Sequence, residues 1–347
     1  MRGAVVGFGT IAMGHLHGYG GVPELSVVAV VDPSPQRRDH AVRAFGLRAY
    51  ATFEEMYAEE SPDFVDICAP PHTHAEYLSL AADHGLHVLC EKPVFMPTDA
   101  GYERFVSRLL DAGRVVYPCH NYKFAPILEL MQGIVSSPAF GEVLAARFRT
   151  VRKGHAVGVP DWNPDWRRDP VYSGGGILRD HGPHSVYLAT SLTGLEPEAV
   201  SCLIGNMRRD AYDQTEDTAL LTIRCEGGAQ IVLDLTWSGS FRNSYYSING
   251  SGGTIVVEND DVFYTRAGEV IRTELPSEFD DPSHREWFTR MLADFVDMVA
   301  NPDRQYALLQ ESIVTSTVID AAYESAGKDG EWVYLKLPTV GKQPSAD

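Results

Sequence analysis

The feature that most constrains the fold lies within the first 32 residues. An apolar run at 3–6 passes directly into Gly7-Phe8-Gly9-Thr10-Ile11-Ala12. A helical stretch at 13–20 follows, and a second apolar run at 25–31 ends on Asp32. Strand, glycine-rich turn, helix, strand and acidic residue are, in that order, the parts of a dinucleotide-binding unit. Gly7 permits the tight turn, and Gly9 lets the backbone approach a pyrophosphate. The open N–H groups and positive potential of the helix N-terminus meet its charge. Ala12 serves at the third position, where helix–strand packing needs only a small side chain. Asp32 stands 23 positions beyond Gly9, close to the roughly 20 expected of a carboxylate that accepts from the adenosine ribose. Gly7, Phe8, Gly9, Thr10, Ile11 and Asp32 are therefore candidate cofactor contacts. Asp32 repels a 2′-phosphate, which favours NAD over NADP, while Arg37 and Arg38 begin the next helix.

The alternation continues. Helices at 37–45, 53–58, 75–84 and 98–112 separate strands at 49–50, 64–69, 87–90 and 115–117. This pattern predicts an α/β fold with a doubly wound parallel sheet. Ligands of such sheets bind beyond the carboxyl ends of the strands. Those ends carry Ala69, Pro70, Pro71 and His74, then Glu91 and Lys92, then His120, Asn121 and Tyr122. All should face one crevice.

The texture changes after about residue 120. A helix at 127–135 and a strand at 143–152 precede a polar, Trp-rich segment at 161–170. The triplet Gly174-Gly175-Gly176 and a helix at 180–192 follow. Strands are expected at 199–205, 217–225, 229–238, 244–249 and 253–258, with turns at Gly227-Gly228 and 250–253. Helices at 285–300 and 308–325 and a strand at 332–337 close the chain. The expected organisation is a Rossmann domain at 1–120, an α+β domain with a mostly antiparallel sheet at 121–338, and a flexible tail at 339–347.

Composition narrows the partners. A net charge of −18 argues against nucleic acid and anionic lipid. No apolar run reaches the length of a membrane span, and the chain enters a strand pattern at once, without a signal-peptide pattern. The five cysteines include no CxxC pair, so neither a disulfide framework nor a zinc site is expected. A cytoplasmic location follows as an expectation. His72, His74, His84, His87 and His120 could suggest a metal, but no ligand motif organises them, and none is expected. His15 and His17 are read as one face of a surface helix.

Asp180 and His184 stand four apart, so in a continuous helix they share one face. They are either a proton-transfer pair or a surface carboxylate with a satisfied imidazole. The three glycines read as a bare wall against which a ligand lies. Trp162, Trp166 and Tyr172 are either core aromatics or part of a loop over the site. Arg167, Arg168, Arg179 and Lys123 admit an anionic group on the ligand, or are surface ion pairs.

With these residues in view, the chain resembles the Gfo/Idh/MocA family. The resemblance rests on Gly7-x-Gly9-x-x-Ala12, Ala69-Pro70-Pro71-x-x-His74, Glu91-Lys92-Pro93 and Gly174-Gly175-Gly176-x-x-x-Asp180-x-Gly182-x-His184. Asn121-Tyr122-Lys123 and Trp166-Arg167 also fall at matching places. The resemblance implies hydride transfer between NAD, or NADP, and a hydroxyl or keto carbon of a sugar, inositol or sugar derivative. It implies Lys92, Asp180 and His184 as the catalytic trio. An imidazole that titrates near neutral pH suits a base, so His184 is the candidate base, with Asp180 orienting it or holding the substrate and Lys92 holding the reacting oxygen. It also implies a homodimer or homotetramer built through the second-domain sheet. Substrate contacts are expected from Tyr122, Lys123, Trp166, Arg167, Arg179 and His181. Lys123 stands where Arg is commoner, Tyr187 where many members have Asp, and Arg179 and His181 are unusually polar neighbours for Asp180. The alternative reading is a non-catalytic NAD(P)-binding sensor.

Overall fold

The computed structural model describes residues 1–96, 102–266, 268–274 and 285–338. Six strands, β1 (Arg2–Val6), β2 (Ser26–Val31), β3 (Arg48–Tyr50), β4 (Phe64–Ile67), β5 (His87–Cys90) and β6 (Val116–Pro118), form one sheet in the order β3-β2-β1-β4-β5-β6. Every pairing is parallel. The intervening helices are α1 (Thr10–Tyr19), α2 (Pro35–Phe45), α3 (Phe53–Glu60), α4 (His74–His84) and α5 (Tyr102–Asp111). Strands β4, β5 and β6 are buried at every position, as expected of a parallel sheet covered on both faces. Local signals set the helix ends. The Ser34 hydroxyl accepts from the Arg37 N–H with Pro35 in the first turn, and left-handed Gly46 ends α2. Thr52 and Glu55 form a capping box on α3. Strand order reverses between β1 and β4, which places a crevice beyond their carboxyl ends.

The chain then forms α6 (Pro126–Val135), β7 (Val143–Val151), the short helices α7 (Pro170–Ser173) and α8 (Ile177–Asp180), and α9 (Gly182–Thr193). Strands β8 (Pro197–Gly205), β9 (Thr218–Cys225), β10 (Gln230–Thr236), β11 (Asn243–Gly250), β12 (Thr254–Glu258), β13 (Asp261–Arg266) and β14 (Glu269–Glu274) follow. Helices α10 (Arg285–Ala300) and α11 (Gln305–Ala326) and strand β15 (Val333–Tyr334) complete the described chain. The second sheet has nine strands in the order β14-β13-β12-β11-β7-β10-β9-β8-β15. All its pairings are antiparallel except β7 with β10. Side chains alternate across it: Leu221, Ile223, Leu233 and Leu235 are fully buried beneath α6, α9 and α11, while Leu203 and Leu220 are exposed on the opposite face.

Three expectations change. The helix expected at 180–192 is broken at His181 into α8 and α9, with Pro183 in the first turn of α9, so Asp180 and His184 do not share one continuous helix. Strands β13 and β14 were not foreseen, because their charged, half-exposed sequence lacks a clean apolar alternation. Helix α10, placed by sequence in the second domain, packs its Phe288, Leu292 and Phe295 into the core of the first sheet. Gly14 and Gly18 on α1 make room for it: a Cβ there would lie 2.6 and 2.8 Å from Phe288. The tail at 339–347 and the start of the helix expected at 98–112 lie outside the described residues. Among the described residues, no helix is long and apolar enough to cross a membrane.

Candidate active site

The crevice begins at Gly7, whose φ of +88° suits glycine. A Cβ there would stand 2.6 Å from the Ala69 Cα. Gly9 precedes α1 with no side-chain cap, so the first N–H groups at Thr10 and Ile11 lack the usual side-chain partner. No atom lies within 4 Å of a Cβ built on Gly9, which leaves the space a phosphate needs. At the end of β2 the Asp32 carboxylate accepts from the N–H groups of Phe8 and Ser34, each at 2.8 Å. Burial raises its carboxyl above the usual value against the pull of those hydrogen bonds. Arg37 donates to the Phe8 carbonyl at 2.7 Å, and Arg38 to the carbonyls of Asp32 and Pro33. Both arginines are thus turned onto the backbone. A glycine turn, an uncapped helix start and a strand-end carboxylate together fit a dinucleotide.

Two expected cofactor contacts are engaged within the fold. The Phe8 ring is fully buried beside His40 and Phe45, and its N–H is committed to Asp32. His74 is also fully buried, its ring nitrogens 2.9 Å from the carbonyl oxygens of Ala69 and Pro93. It ties the loop carrying Pro70 and Pro71 to the loop carrying Lys92.

Below Glu91 lies an unexpected buried cluster. His15 Nε2 is 3.0 Å from Glu91 Oε1, and His15 Nδ1 is 2.8 Å from Asp66 Oδ2. The Tyr19 hydroxyl donates to Asp66 at 2.8 Å. His15 is fully buried, not on a surface face. Burial alone would lower its imidazole, but Asp66 holds it well above the usual value. The second carboxylate oxygen of Glu91 accepts the Lys92 N–H at 3.2 Å, so the cluster underlies the lysine. Donor atoms of His15, Glu91 and Cys119, and of His15, Asp66 and Cys68, converge within 4.8 Å. The histidines weighed from sequence as ligands disperse instead: His72 meets Tyr172, His84 stacks on Tyr57, and His87 Nδ1 accepts from Val115 N.

Lys92, whose bond to Pro93 is cis, crosses the domain junction. Its Nζ donates to the Asp180 carbonyl at 2.7 Å and to Asp180 Oδ1 at 3.1 Å. Arg167 Nε donates to the same oxygen at 3.3 Å. Burial would raise the Asp180 carboxyl, but Lys92, Arg167 and His181 hold it well below the usual range. His184, also buried, has Nδ1 2.8 Å from the Tyr187 hydroxyl and lies beneath the Tyr122 ring at 4.4 Å. Burial first, then Lys92 and His181, keep its imidazole well below the usual value. His181 is pushed down to about 3 by burial and by Arg152 and Lys92. At neutral pH the site thus presents an ionised carboxylate beside neutral imidazoles.

The glycine triplet is packed closely against the chain itself. The Cβ direction of Gly174 is filled by Met96, that of Gly175 by Tyr323 and that of Gly176 by the Glu216 backbone. Glu216, which sequence reasoning missed, accepts from Gly176 N at 2.9 Å and Leu178 N at 3.0 Å, and from the Tyr323 hydroxyl at 2.8 Å. It anchors the start of α8, the helix that ends in Asp180. Only a lone Glu-Asp pair between strands could have hinted at it.

Arg179, expected as a substrate contact, is held by α11. It is buried, donates to Asp320 at 2.7 Å and lies over the Tyr323 ring, which engages it with α11. Lys123 donates to both oxygens of Glu311, at 2.9 and 3.1 Å, and His120 meets the same carboxylate at 2.7 Å. Asn121 is buried at the start of the 3-10 turn Asn121–Phe124. The Arg167 guanidinium stacks over Trp166 at 4.3 Å. The Trp-rich segment reaches the first domain, with Tyr172 against His72 and Trp162, and Asp161 3.7 Å from Arg37.

The family description "Oxidoreductase family, NAD-binding Rossmann fold" matches residues 1–119, and "GFO/IDH/MocA C-terminal domain" matches residues 128–256. D-apiose dehydrogenase of Paraburkholderia graminis is 26% identical, over 75% of this chain and 68% of its own. D-xylose 1-dehydrogenase (NADP(+)) 2 of Haloferax volcanii is 28% identical, over 80% and 82%. The crystal structure of GenD2 from gentamicin A biosynthesis in complex with NAD shares the fold, with a TM-score of 0.80 and 22% identity over 97% of this chain and 96% of that one. Both domains match, in chain order and with the fold intact: the chain belongs to the NAD-binding Gfo/Idh/MocA oxidoreductase family.

Proposed function

We propose that the protein is an NAD-dependent dehydrogenase or ketoreductase acting on a hydroxyl or keto carbon of a sugar, inositol or related polyol. The observation that carries this reading is the Lys92–Asp180 pair, closed across the domain junction next to the neutral ring of His184. Bound NAD would supply the hydride acceptor, held by Gly7, Gly9, the first turn of α1 and Asp32. Two of the three ammonium protons of Lys92 point to Asp180, and the third remains for the reacting oxygen, where it stabilises developing negative charge. Asp180 orients that ammonium. Tyr122 and Trp166 offer ring faces to a polyol, and Arg167 and His181 offer polar edges.

The cofactor preference is for NAD. Asp32 would sit against a 2′-phosphate, and both nearby arginines are turned onto the backbone. The relatives are sugar dehydrogenases by name, one of them NADP-dependent, which supports the substrate class and leaves the choice of cofactor to Asp32. The uncovered face of the second sheet is the proposed interface of a homodimer or homotetramer.

Absorbance at 340 nm over a panel of polyols, inositols and sugars, with each cofactor, tests the reading. NAD should outperform NADP in kcat/KM by at least about tenfold, since juxtaposed like charges cost more than a kcal/mol. Lys92→Ala should lose at least ~100-fold in turnover, the lower bound for a positioned proton-transfer group. Near wild-type turnover in that variant removes Lys92 from the chemistry. Tight NAD binding with no turnover across the whole panel favours a sensor.

A further inference from the structure

The identity of the base depends on which nitrogen of His184 carries the proton, and the structure constrains that choice. Tyr187 is fully buried one turn further along α9, and its hydroxyl is 2.8 Å from His184 Nδ1. Its ring is fixed by stacking on His120, with centroids 4.1 Å apart and planes 8° from parallel. A buried hydroxyl proton needs an acceptor. Among the described residues, the acceptor within reach of that proton is His184 Nδ1. A nitrogen that accepts from a hydroxyl cannot itself bear a proton.

We propose that Tyr187 fixes His184 in the tautomer with its proton on Nε2, so that His184 gives a hydrogen bond to the reacting oxygen and the proton is exchanged through Lys92. A carboxylate at position 187 would do the opposite, since it can only accept and would hold the proton on Nδ1, leaving Nε2 free as a base. In the reductive direction, bound NADH would supply the hydride and be left as NAD⁺; the hydride adds to the carbonyl carbon and the C=O π pair moves onto oxygen. The oxygen takes a proton from the Lys92 ammonium, the amine left behind regains one from water, and His184 keeps its own. Tyr187 is thus a positioning residue.

The charged and titratable groups around His184 agree with an uncharged ring. Lys92 from the loop after β5 and His181 before α9 disfavour a positive imidazole, and Asp180 on α8 favours one. His120 after β6 also disfavours it. Asp180 is already committed to Lys92 and Arg167. The tautomer assignment rests on the fold alone; the catalytic role rests on the function proposed above.

Long-range ¹H–¹⁵N correlation spectra of the full-length protein, labelled at histidine and assigned with His184→Gln, read the tautomer directly. The expected spectrum shows Nδ1 unprotonated and Nε2 protonated, unchanged between about pH 6 and pH 8. Tyr187→Asp should move the proton to Nδ1 and raise the titration of His184 by at least about one pH unit, through a carboxylate within hydrogen-bond reach. It should also add an acid limb to kcat/KM that the wild type lacks. Tyr187→Phe should give mixed tautomers. A wild-type His184 protonated on Nδ1, or titrating like a free imidazole, overturns the proposal, and so does a Tyr187→Asp pH profile that overlays the wild type. The wild-type spectrum decides the tautomer even if no variant folds. If the labelled protein shows the expected tautomer but turns over no polyol, the functional reading fails while the assignment stands.

Discussion

His15 shows what one residue can hide in a sequence. Its position after a glycine turn reads as a helix surface, because α1 carries little apolar patterning around Gly14 and Gly18. Those glycines admit α10, and α10 seals the histidine inside. No local pattern reveals a partner 270 residues away. Buried between Asp66 and Glu91, His15 compensates two carboxylates at once, and His15→Leu should cost about 3–5 kcal/mol, the usual penalty for breaking a buried ion pair. The pH dependence has a definite sign. The folded-state pKa is raised, so the contribution is complete below the unfolded value of about 6.5 and is lost as pH rises through the folded value, well above it. Urea denaturation of wild type and variant near pH 6 and again at strongly alkaline pH checks this. A stability difference that grows toward alkaline pH contradicts the assignment. By contrast, the strand-end places of Gly7, Asp32 and Lys92 and the fixed spacing that carries Asp180 and His184 could be read from sequence, and the structure brings Lys92 and Asp180 together. The direction of Arg179 could not: sequence shows that it adjoins Asp180, but not that it leaves in the opposite direction toward Asp320.

At the scale of the element, α8 is four residues long, too short to hold itself. Its stability comes from Glu216, whose carboxylate satisfies two N–H groups at its start and a tyrosine hydroxyl from α11. The glycine triplet is the other half of that arrangement, since a side chain at Gly176 would occupy the Glu216 carbonyl. Sequence made the triplet visible, and the structure shows the chain itself approaching closely there. Glu216→Ala should leave two buried N–H groups without partners, at about 1–3 kcal/mol each. Because α8 ends in Asp180, kcat should fall by about 10–100-fold, as expected of misplaced reacting groups, with a smaller change in KM. Denaturation and steady-state kinetics on the same preparation separate the two effects. A loss of stability with unchanged kcat would mean that Asp180 is positioned by Lys92 and Arg167 alone.

Over the whole molecule, the parallel sheet was readable strand by strand, since regular helix–strand alternation admits few topologies. The nine-stranded sheet was readable only where one face is clearly apolar, so β13 and β14 escaped. That same face-by-face contrast predicts assembly. Across the strands, Leu203 of β8 stands opposite Leu220 of β9, Leu220 opposite Asp234 of β10, and Asp234 opposite Arg149 of β7. Asp234 and Arg149 form an ion pair at 3.0 Å, and the two leucines are 56% and 48% exposed. The inner face of the same strands lies under three helices, while no described helix covers this row. An adjoining pair of exposed leucines on a broad uncovered sheet is what a protein–protein contact buries. Sedimentation at micromolar concentration should therefore give a multiple of the 38.2 kDa chain mass. Leu203→Glu with Leu220→Glu should shift the protein toward monomer, because the paired carboxylates would be forced together and desolvated in the contact. Lys92, Asp180 and His184 all come from one chain and lie away from this row, so the dissociated variant should keep turnover within about threefold, surface changes remote from a site being nearly neutral. A wild type that sediments as a single chain would sink the interface, and a dissociated variant without activity would show that the site depends on the assembly.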